Sequence, residues 1–310
     1  MSDKYITILG AFFVDLACRT LRMPEWGETL HGTGFSMGPG GKGSNQAVAA
    51  ARQNAKVELI TRVAQDTFGE MARRVYEDEG IGAGHVSNDP DAPSGTATII
   101  VDDARGENAI VIVPGACGNL NRSDVDAASN TIASSTLFVS QLELSTDACL
   151  YGIELAYRHG VPVVLNPAPA VELPREVFSQ IDYLTPNMSE ASLLVGREVR
   201  TREQVASAAA TLREWGVRHV LITLGEEGVY VSSENQERVI PAVNAGHVLD
   251  TTGAGDAFNG GLVAALAEGL PLMDAAHFGC AVAGLSVTKR GTAPSMPSRE
   301  EVESLLERAG

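Results

Sequence analysis

The sequence predicts an α/β fold, a doubly wound and mostly parallel β-sheet sandwiched between helices. Short β-branched runs alternate with longer helical patterns along the chain, and this alternation is typical of sheets covered by helices on both faces. The runs are also apolar on both faces, as buried parallel strands require. With 310 residues and a hydrophobic content of 44%, the chain is long enough for a sizeable core. We therefore expect a single domain over residues 1–310.

Individual elements follow from local patterns. The predicted strands are YITILG, VELITRV, STLFVSQLE, VPVVLNPA, DYLTPN and HVLITLG. Helical patterns between them include SNQAVAAARQN and DTFGEMARRVYEDEG. In the second pattern the apolar residues Phe68, Met71, Val75 and Tyr76 share one face. Asp66 is the expected N-cap of this helix and Gly80 the expected residue just beyond its end.

Composition restricts the class of protein. The formal charge is −16, from 23 basic and 39 acidic residues, which argues against a surface for nucleic acid or anionic membrane. The four cysteines, Cys18, Cys117, Cys149 and Cys280, match neither a C-x-x-C pair nor a zinc pattern. No apolar run reaches the ~18 residues of a membrane span, and MSDKYITILG does not resemble a signal peptide. We expect free thiols in a cytoplasmic protein.

Two segments interrupt the alternation of strands and helices. The segment at about 16–38 has no helical period and contains Pro24 and four glycines, and the segment 95–113 has the pattern of two strands around a polar turn. We predict that they form a small antiparallel β-sheet attached to the main domain. It is either surface decoration or a lid that closes over a substrate. Because an exposed apolar sheet tends to find a partner, we also expect a homodimer.

The stretch DTTGAGDAF, at 250–258, places glycines and an acid at a predicted helix start. The first turn of a helix has free N–H groups and partial positive charge, so Gly253, Ala254 and Gly255 can form an anion hole suited to a phosphate. Asp256 is then placed to accept the proton of a hydroxyl that attacks phosphorus. The alternative is that Asp256 only caps the helix.

A second glycine-rich stretch, GPGGKGSNQAVAAA at 38–51, also leads into a helix. Gly41 exposes backbone N–H, Lys42 adds a charge, and Asn45 presents an amide that both donates and accepts. This set suits a polyhydroxylated ligand as well as a phosphate, although the Walker A spacing is absent. The alternative is a glycine-rich turn that allows tight packing.

Two further stretches follow predicted strands, where open α/β sheets bind ligands. In TPNMSEASLL, Asn187 and Glu190 are three apart and suit either water and Mg²⁺ around ATP phosphates or a capping box. In ITLGEEGVYV, three positions border either a nucleotide or an ordinary turn. These positions are Thr223, Gly225 and Gly228.

As an ordered set, these motifs resemble those of the ribokinase-like carbohydrate kinases, the PfkB group. The resemblance covers nearly the whole chain and rests on GGKGSNQAVAAAR, QLE at 141–143, NPAPA at 166–170, TPN at 185–187, LITLGEEGV, DTTGAGDAFNG and SVTKRGTAPS at 286–295. It implies ATP-dependent phosphoryl transfer to the primary (5-) hydroxyl of a pentose, with D-ribose as the first expectation. The implied cofactors are ATP, Mg²⁺ and a monovalent cation, K⁺.

The resemblance also implies roles for individual residues. The implied base is Asp256, with the anion hole formed by Gly253, Ala254 and Gly255. The implied sugar contacts are Asp15, Gly41, Lys42, Asn45 and Glu143. The implied nucleotide and Mg²⁺ residues are Asn187, Glu190, Thr223, Gly225 and Gly228. The implied potassium ligands are Asp250, Thr252, Ser286, Lys289, Gly291 and Ser295; alternatively, Asp250 only braces its loop through hydrogen bonds.

One position departs from the family pattern. Ribokinases generally have an asparagine two residues before the sugar-binding acid, where this chain has Phe13 before Asp15. A phenyl ring cannot bond a sugar hydroxyl, and a buried hydroxyl left unpaired costs ~1–3 kcal/mol. Deoxyribokinases also carry a non-polar residue there. The alternative substrates are therefore 2-deoxyribose, if Phe13 faces the sugar, or a nucleoside or other sugar.

Two other classes of function remain for comparison. A catalytically silent, sugar-binding regulator would have little use for Asp256 as a base. A nicotinamide oxidoreductase would need a G-x-G-x-x-G loop after the first strand, where the chain has LGAFFVD instead.

Overall fold

The computed structural model describes residues 4–105, 107–234 and 236–309 of the chain. The strands in these ranges are β1 (Ile6–Leu9), β2 (Phe13–Thr20), β3 (Gly34–Gly40), β4 (Val57–Ala64), β5 (Gly82–Asp89), β6 (Thr96–Asp102), β7 (Glu107–Val113), β8 (Leu137–Ser140), β9 (Val163–Leu165), β10 (Tyr183–Leu184), β11 (His219–Thr223), β12 (Val229–Ser232) and β13 (Glu237–Ile240). The α-helices are α1 (Lys42–Arg52), α2 (Thr67–Asp78), α3 (Arg122–Ala127), α4 (Ser129–Ser134), α5 (Thr146–Arg158), α6 (Met188–Val195), α7 (Arg202–Glu214), α8 (Ala254–Glu268), α9 (Leu272–Ser286) and α10 (Arg299–Ala309).

Nine strands form a large sheet in the order β13-β12-β11-β10-β9-β8-β1-β4-β5. All pairs from β11 to β5 are parallel, and β12 and β13 add an antiparallel edge. The six predicted strands are all confirmed within it. Three strands, β5, β12 and β13, were not predicted. The edge strands β5 and β13 carry polar residues, as exposed edges allow, and β12 has only four residues.

The predicted ends of α2 are also confirmed. The Asp66 side chain accepts a hydrogen bond from the backbone N–H of Gly69 at 2.8 Å, which makes it the N-cap. Gly80 follows the helix with a φ of 65°, a left-handed conformation that glycine adopts without strain. The helix α1 begins at Lys42, two residues before the predicted pattern.

A small sheet, in the order β3-β2-β6-β7, stands apart from the large sheet. It is built from two antiparallel pairs, β2–β3 and β6–β7, which join through a parallel β2–β6 pair. The predicted hairpin at 95–113 is confirmed as β6 and β7. The two ends of the segment at about 16–38 also belong to this sheet, as parts of β2 and β3, and the backbone between them, 21–33, is irregular.

The helices α1 and α8 pack closely and bring two of the predicted motifs together. A Cβ added to Gly260 of α8 would lie 2.3 Å from the Cβ of Ala49 and 2.9 Å from the carbonyl oxygen of Gln46, both on α1. Only glycine permits so close an approach. In the described ranges no helix has the length and apolar character needed to cross a bilayer.

Candidate active site

An open cavity lies where β9, β10 and β11 end and α8 begins. This is the carboxyl edge of the large sheet, the usual position of ligands in open α/β folds. The predicted site residues that line it are Lys42, Asn187, Glu190, Thr223, Gly253, Ala254, Gly255 and Asp256. The structure therefore brings together parts of all four motifs.

The beginning of α8 has the features of an anion site. Gly253 is its N-cap, with a φ of 79°, and no side chain caps the helix. The backbone N–H groups of Gly255 and Asp256 find no acceptor among the described residues. A Cβ added to Gly255 would meet nothing within 4 Å. Unpaired N–H groups at a helix start, with open space before them, favour an anionic ligand.

Asp256 is the third residue of α8 and is buried, with 5% of its surface exposed. It does not occupy the N-cap position, so the capping alternative does not describe its geometry. Its Oδ2 accepts from Nδ2 of Asn45 at 3.0 Å, and its Oδ1 accepts from Nε2 of Gln46 at 3.0 Å. Two amides from α1 thus hold this carboxylate at the edge of the cavity.

Lys42 is surrounded by carboxylates. Its backbone N–H donates to Oε2 of Glu143 at 2.7 Å, and attraction to Asp256 raises the pKa of its ammonium group. Burial raises the pKa of Glu143 to about 7 and that of Asp15 to about 6. Burial also raises the pKa of Glu190. These buried carboxylates can accept hydrogen bonds from the hydroxyl groups of a polyhydroxylated ligand.

The turn before α1 requires glycine at Gly41. This residue has a φ of 87°, and a Cβ there would lie 2.7 Å from the carbonyl oxygen of Ala11 and 2.8 Å from the backbone nitrogen of Phe13. The tight-packing alternative is therefore correct for this glycine. Its neighbour Asn45 points its Nδ2 at Asp256, while its buried Oδ1 has no partner in the described part of the chain.

Asn187 and Glu190 form a complete capping box at the start of α6. Glu190 accepts from the backbone N–H of Asn187 at 2.8 Å and from its Nδ2 at 2.9 Å, and Asn187 Oδ1 accepts from the backbone N–H of Glu190 at 2.8 Å. Both residues nevertheless line the cavity. The capping and ligand-binding alternatives are thus compatible.

Thr223 ends β11 and pairs with Asn187 in an isolated bridge, so the two predicted nucleotide motifs are adjacent. Gly225 and Gly228 shape the turn that follows. Gly228 has a φ of 100°, and a Cβ there would lie 2.1 Å from the carbonyl oxygen of Ile240. Gly225 has open space around it, so its surface is available.

Asp250 connects the two loops that carry the predicted potassium ligands. Its carboxylate accepts from the backbone N–H groups of Thr252 at 3.0 Å and Gly291 at 3.1 Å. This matches the loop-bracing alternative. Ser295 Oγ, which is buried, donates within its own loop to the carbonyl oxygen of Thr292 at 2.7 Å. Ser286 is buried at the end of α9, and the Lys289 ammonium group pairs with Glu301 at 2.7 Å.

Sequence reasoning missed several polar residues of the site. Thr292 donates through Oγ1 toward Asp15 Oδ2 at 2.9 Å and Pro39 O at 3.0 Å. Thr292 also lies beside Gly253, at the start of α8. Gln46, Asn166, Thr185 and Asn259 lie beneath Asp256. A signal existed for each of these residues, since all of them belong to motifs already singled out.

Phe13 is buried, and its ring lies against Gly95, where a Cβ would be 2.4 Å from the ring. Because residues two apart on a strand share a face, Phe13 and Asp15 lie on the same side of β2. The phenyl ring therefore cannot form a hydrogen bond with a ligand on the face that carries Asp15.

Comparison with known proteins identifies the relatives of this chain. The model of the pfkB family of carbohydrate kinases matches residues 3–299. The ribokinase of Haemophilus influenzae is 39% identical over 306 residues, 99% of each chain. The deoxyribokinase of Salmonella typhi is 37% identical, over 97% of this chain and 98% of that one. A structure of Arabidopsis thaliana ribokinase complexed with ribose and ATP has a TM-score of 0.89 at 28% identity, over 98% and 99% of the two chains.

These matches extend over all the motifs that meet at the cavity. They confirm the resemblance suggested by those motifs, and the α/β fold class with its additional small sheet. They also separate this chain from the nicotinamide oxidoreductases. The chain belongs to the pfkB family of carbohydrate kinases and is an ATP-dependent sugar kinase.

Proposed function

We propose that the chain transfers the γ-phosphoryl group of ATP to the primary (5-) hydroxyl of a pentose, converting D-ribose to ribose 5-phosphate. The observation that carries this proposal is the placement of Asp256. It is a buried carboxylate held by two amides, directly beside the unpaired N–H groups at the start of α8. A base next to an anion site is the arrangement that activation of an alcohol toward a phosphoryl group needs.

In this proposal two carboxylates and one amide oxygen accept hydrogen bonds from the sugar. Asp15, Glu143 and the unpaired Oδ1 of Asn45 receive sugar hydroxyls, while Gly41 and Lys42 complete this side of the site. Asp256 then takes the proton of the primary hydroxyl as it attacks in line. The N–H groups of Gly255 and Asp256, which have no acceptor among the described residues, and the ammonium group of Lys42 offset the charge on the transferred group.

The nucleotide occupies the opposite side of the cavity. Thr223, Gly225 and Gly228 border ATP, and Asn187 and Glu190 face its phosphates. Among the described residues no group of three or more acidic, histidine or cysteine side chains is arranged to hold a metal. We propose that Mg²⁺ would arrive with the ATP phosphates and that Glu190 would order its water shell. When bound, it supplies positive charge against the phosphate oxygens.

The loops joined by Asp250 fit a monovalent cation. In the described part of the chain, no donor reaches the carbonyl oxygens of Thr252, Lys289 or Gly291. Hard oxygen donors of this kind suit K⁺. The proposed ligands are Asp250, Thr252, Ser286, Lys289, Gly291 and Ser295. The bound ion would stabilise the conformation of the loop before α8, and activity should then rise on adding KCl but not on adding tetramethylammonium chloride.

The small sheet is proposed to act as a lid and as the homodimer contact. Its exposed apolar side chains include Phe35, Met37, Ile110, Val111 and Val113. A second copy that covers them would bury a surface that monomers rarely expose. Replacing Val111 by Lys should shift a dimer to monomer in sedimentation. The free thiols of Cys117, Cys149 and Cys280 fit the expected cytoplasmic compartment.

A coupled ADP-release assay tests the function. With ATP, Mg²⁺ and K⁺ we expect turnover with D-ribose, and Asp256→Asn should lower kcat by roughly 10²–10⁴-fold, the scale of a general base. Near wild-type kcat in that variant would remove the base assignment. No turnover with any sugar or nucleoside would favour a sugar-binding regulator.

Phe13 favours 2-deoxyribose as a second candidate. Its buried ring lies on the same side of β2 as Asp15 and cannot pair with a hydroxyl. If the ring faces carbon 2 of the sugar, 2-deoxyribose has no hydroxyl there that needs a hydrogen bond, whereas the 2-hydroxyl of ribose would be buried without a partner. Comparison of kcat/KM for the two sugars decides between them, and a hundredfold preference for ribose would exclude this candidate.

A further inference from the structure

Buried amide side chains connect Asp256 to the ends of two strands of the large sheet. Gln46 has no exposed surface, and its Nε2 donates to Asp256 Oδ1 at 3.0 Å and to Asn166 Oδ1 at 3.2 Å. Gln141, just after β8, donates through Nε2 to Gln46 Oε1 at 2.7 Å. Asn166, just after β9, donates to the carbonyl oxygen of Thr185 at 2.9 Å. None of these amides has a role in the transfer proposed above.

The direction of these hydrogen bonds follows from the charge of Asp256. An ionised carboxylate only accepts, so Gln46 must turn its NH₂ group toward Asp256. Its Oε1 then faces the other way and requires a donor, which fixes the NH₂ group of Gln141. The Oε1 of Gln141 is left without a partner in the described residues, next to Gly10, where a Cβ would lie 2.4 Å from it. The chain of amides therefore ends in one unpaired acceptor, Gln141 Oε1, while the Nε2 of Gln46 still donates to Asp256.

We propose that Gln46 is a positioning residue for Asp256, and that Gln141 acts through Gln46 by fixing the orientation of its amide. Asn45 on Oδ2 and Gln46 on Oδ1 together define the plane of the carboxylate. The charged groups that face this carboxylate are Lys42, Asp15, Glu143 and Glu190. This inference rests on the proposed function, because it takes Asp256 as the base.

The substitution Gln46→Met tests the positioning role, because methionine keeps the length of the side chain and removes both donors. We expect kcat to fall about 10- to 100-fold, the effect of losing a hydrogen bond to a charged group, while the KM for the sugar changes less than about threefold. The matched control is Gln53→Met, at the end of the same helix. Gln53 is also fully buried, but it donates to the carbonyl oxygen of Pro297 at 2.8 Å. Its variant should lose thermal stability and keep wild-type kcat.

Two further measurements separate positioning from a general loss of structure. Gln141→Met should lower kcat about 3- to 10-fold without raising KM, and it decides the matter if Gln46→Met does not fold. In an Asp256→Asn background, Gln46→Met should have no further effect on kcat, because the two residues act as one unit.

The inference is overturned if Gln46→Met and Gln53→Met have equal kcat, or if Gln46→Met lowers kcat equally with and without Asp256. A wild-type kcat in Asp256→Asn alone would instead reject the base assignment, and the positioning role with it. A third outcome would reject only the positioning role. In that case Asp256→Asn loses kcat, while the folded Gln46→Met and Gln141→Met variants keep the wild-type kcat.

Discussion

Gly255→Ala is expected to raise stability and lower activity in the same variant. The added Cβ meets nothing within 4 Å, and the backbone of Gly255 is not in the left-handed region. Alanine is about 1 kcal/mol better than glycine inside a helix, and roughly half of that is expected in the first turn. For a chain of this size the melting temperature should rise by about 1 °C.

The same substitution is expected to lower activity, because Gly255 belongs to the proposed anion site at the start of α8. The methyl group would occupy the space in front of the unpaired N–H groups of Gly255 and Asp256, where the transferring phosphoryl group is proposed to lie. Displacing a reacting group by about 1 Å can cost about 10²-fold in rate. We therefore expect kcat to fall about 10²-fold in the ADP-release assay, with a melting temperature at or above that of the wild type.

Gly260→Ala is the matched control on the same helix. Its Cβ would lie 2.3 Å from the Cβ of Ala49, so overpacking should destabilise the protein by about 1–3 kcal/mol. Only Gly255→Ala should combine unchanged or higher stability with low kcat. Wild-type kcat in a folded Gly255→Ala protein would refute the assignment of these N–H groups to the phosphoryl site.

Three other predictions follow from the same geometry. Because burial raises the carboxyl pKa of Glu143 to about 7 and of Asp15 to about 6, the folded protein binds more protons than the unfolded chain above about pH 4. The melting temperature of the ligand-free protein should therefore fall from pH 5 to 8, and Glu143→Gln should flatten this dependence; an unchanged slope would contradict it. Phe13→Asn should raise the ribose/deoxyribose ratio of kcat/KM about fivefold, the worth of one hydrogen bond, and no change would mean that Phe13 faces away from the sugar. Gly41→Ala should destabilise the protein by more than about 1 kcal/mol, because a side chain there is strained by φ and by contact with Ala11; equal denaturation midpoints would count against this reading.

The sequence predicted the centre of the large sheet better than its edges. The strands β1 and β8 are mostly apolar and buried along their whole length, so their composition alone distinguishes them from loops. The edge strands β5 and β13 are half solvated and lack that signal. The termini of α2 were predictable because Asp66 and Gly80 act through contacts within a few residues.

The motifs of the site were predictable, but their mutual contacts were not. The amide of Gln46 reaches Asp256 across 210 residues of sequence, and Thr292 reaches Asp15 across 277 residues. Local patterns carry no information about such pairs, because the first depends on how α1 and α8 cross and the second on how the loop at Thr292 packs against β2. The same limit applies to Phe13, whose orientation is fixed by the contact with Gly95.

The charges of the site explain why it suits a neutral sugar rather than a sugar phosphate. Asp15, Glu143 and Asp256 surround a single ammonium group, that of Lys42, so the sugar side of the cavity carries excess negative charge. Neutral hydroxyls donate to these carboxylates at no Coulombic cost, whereas a phosphate placed among them would be repelled. The start of α8 adds positive potential at the position where the phosphoryl group is proposed to be transferred. Once the group reaches the sugar, the product would carry its new charge next to the acids that are proposed to bind the substrate, and this repulsion would favour its release.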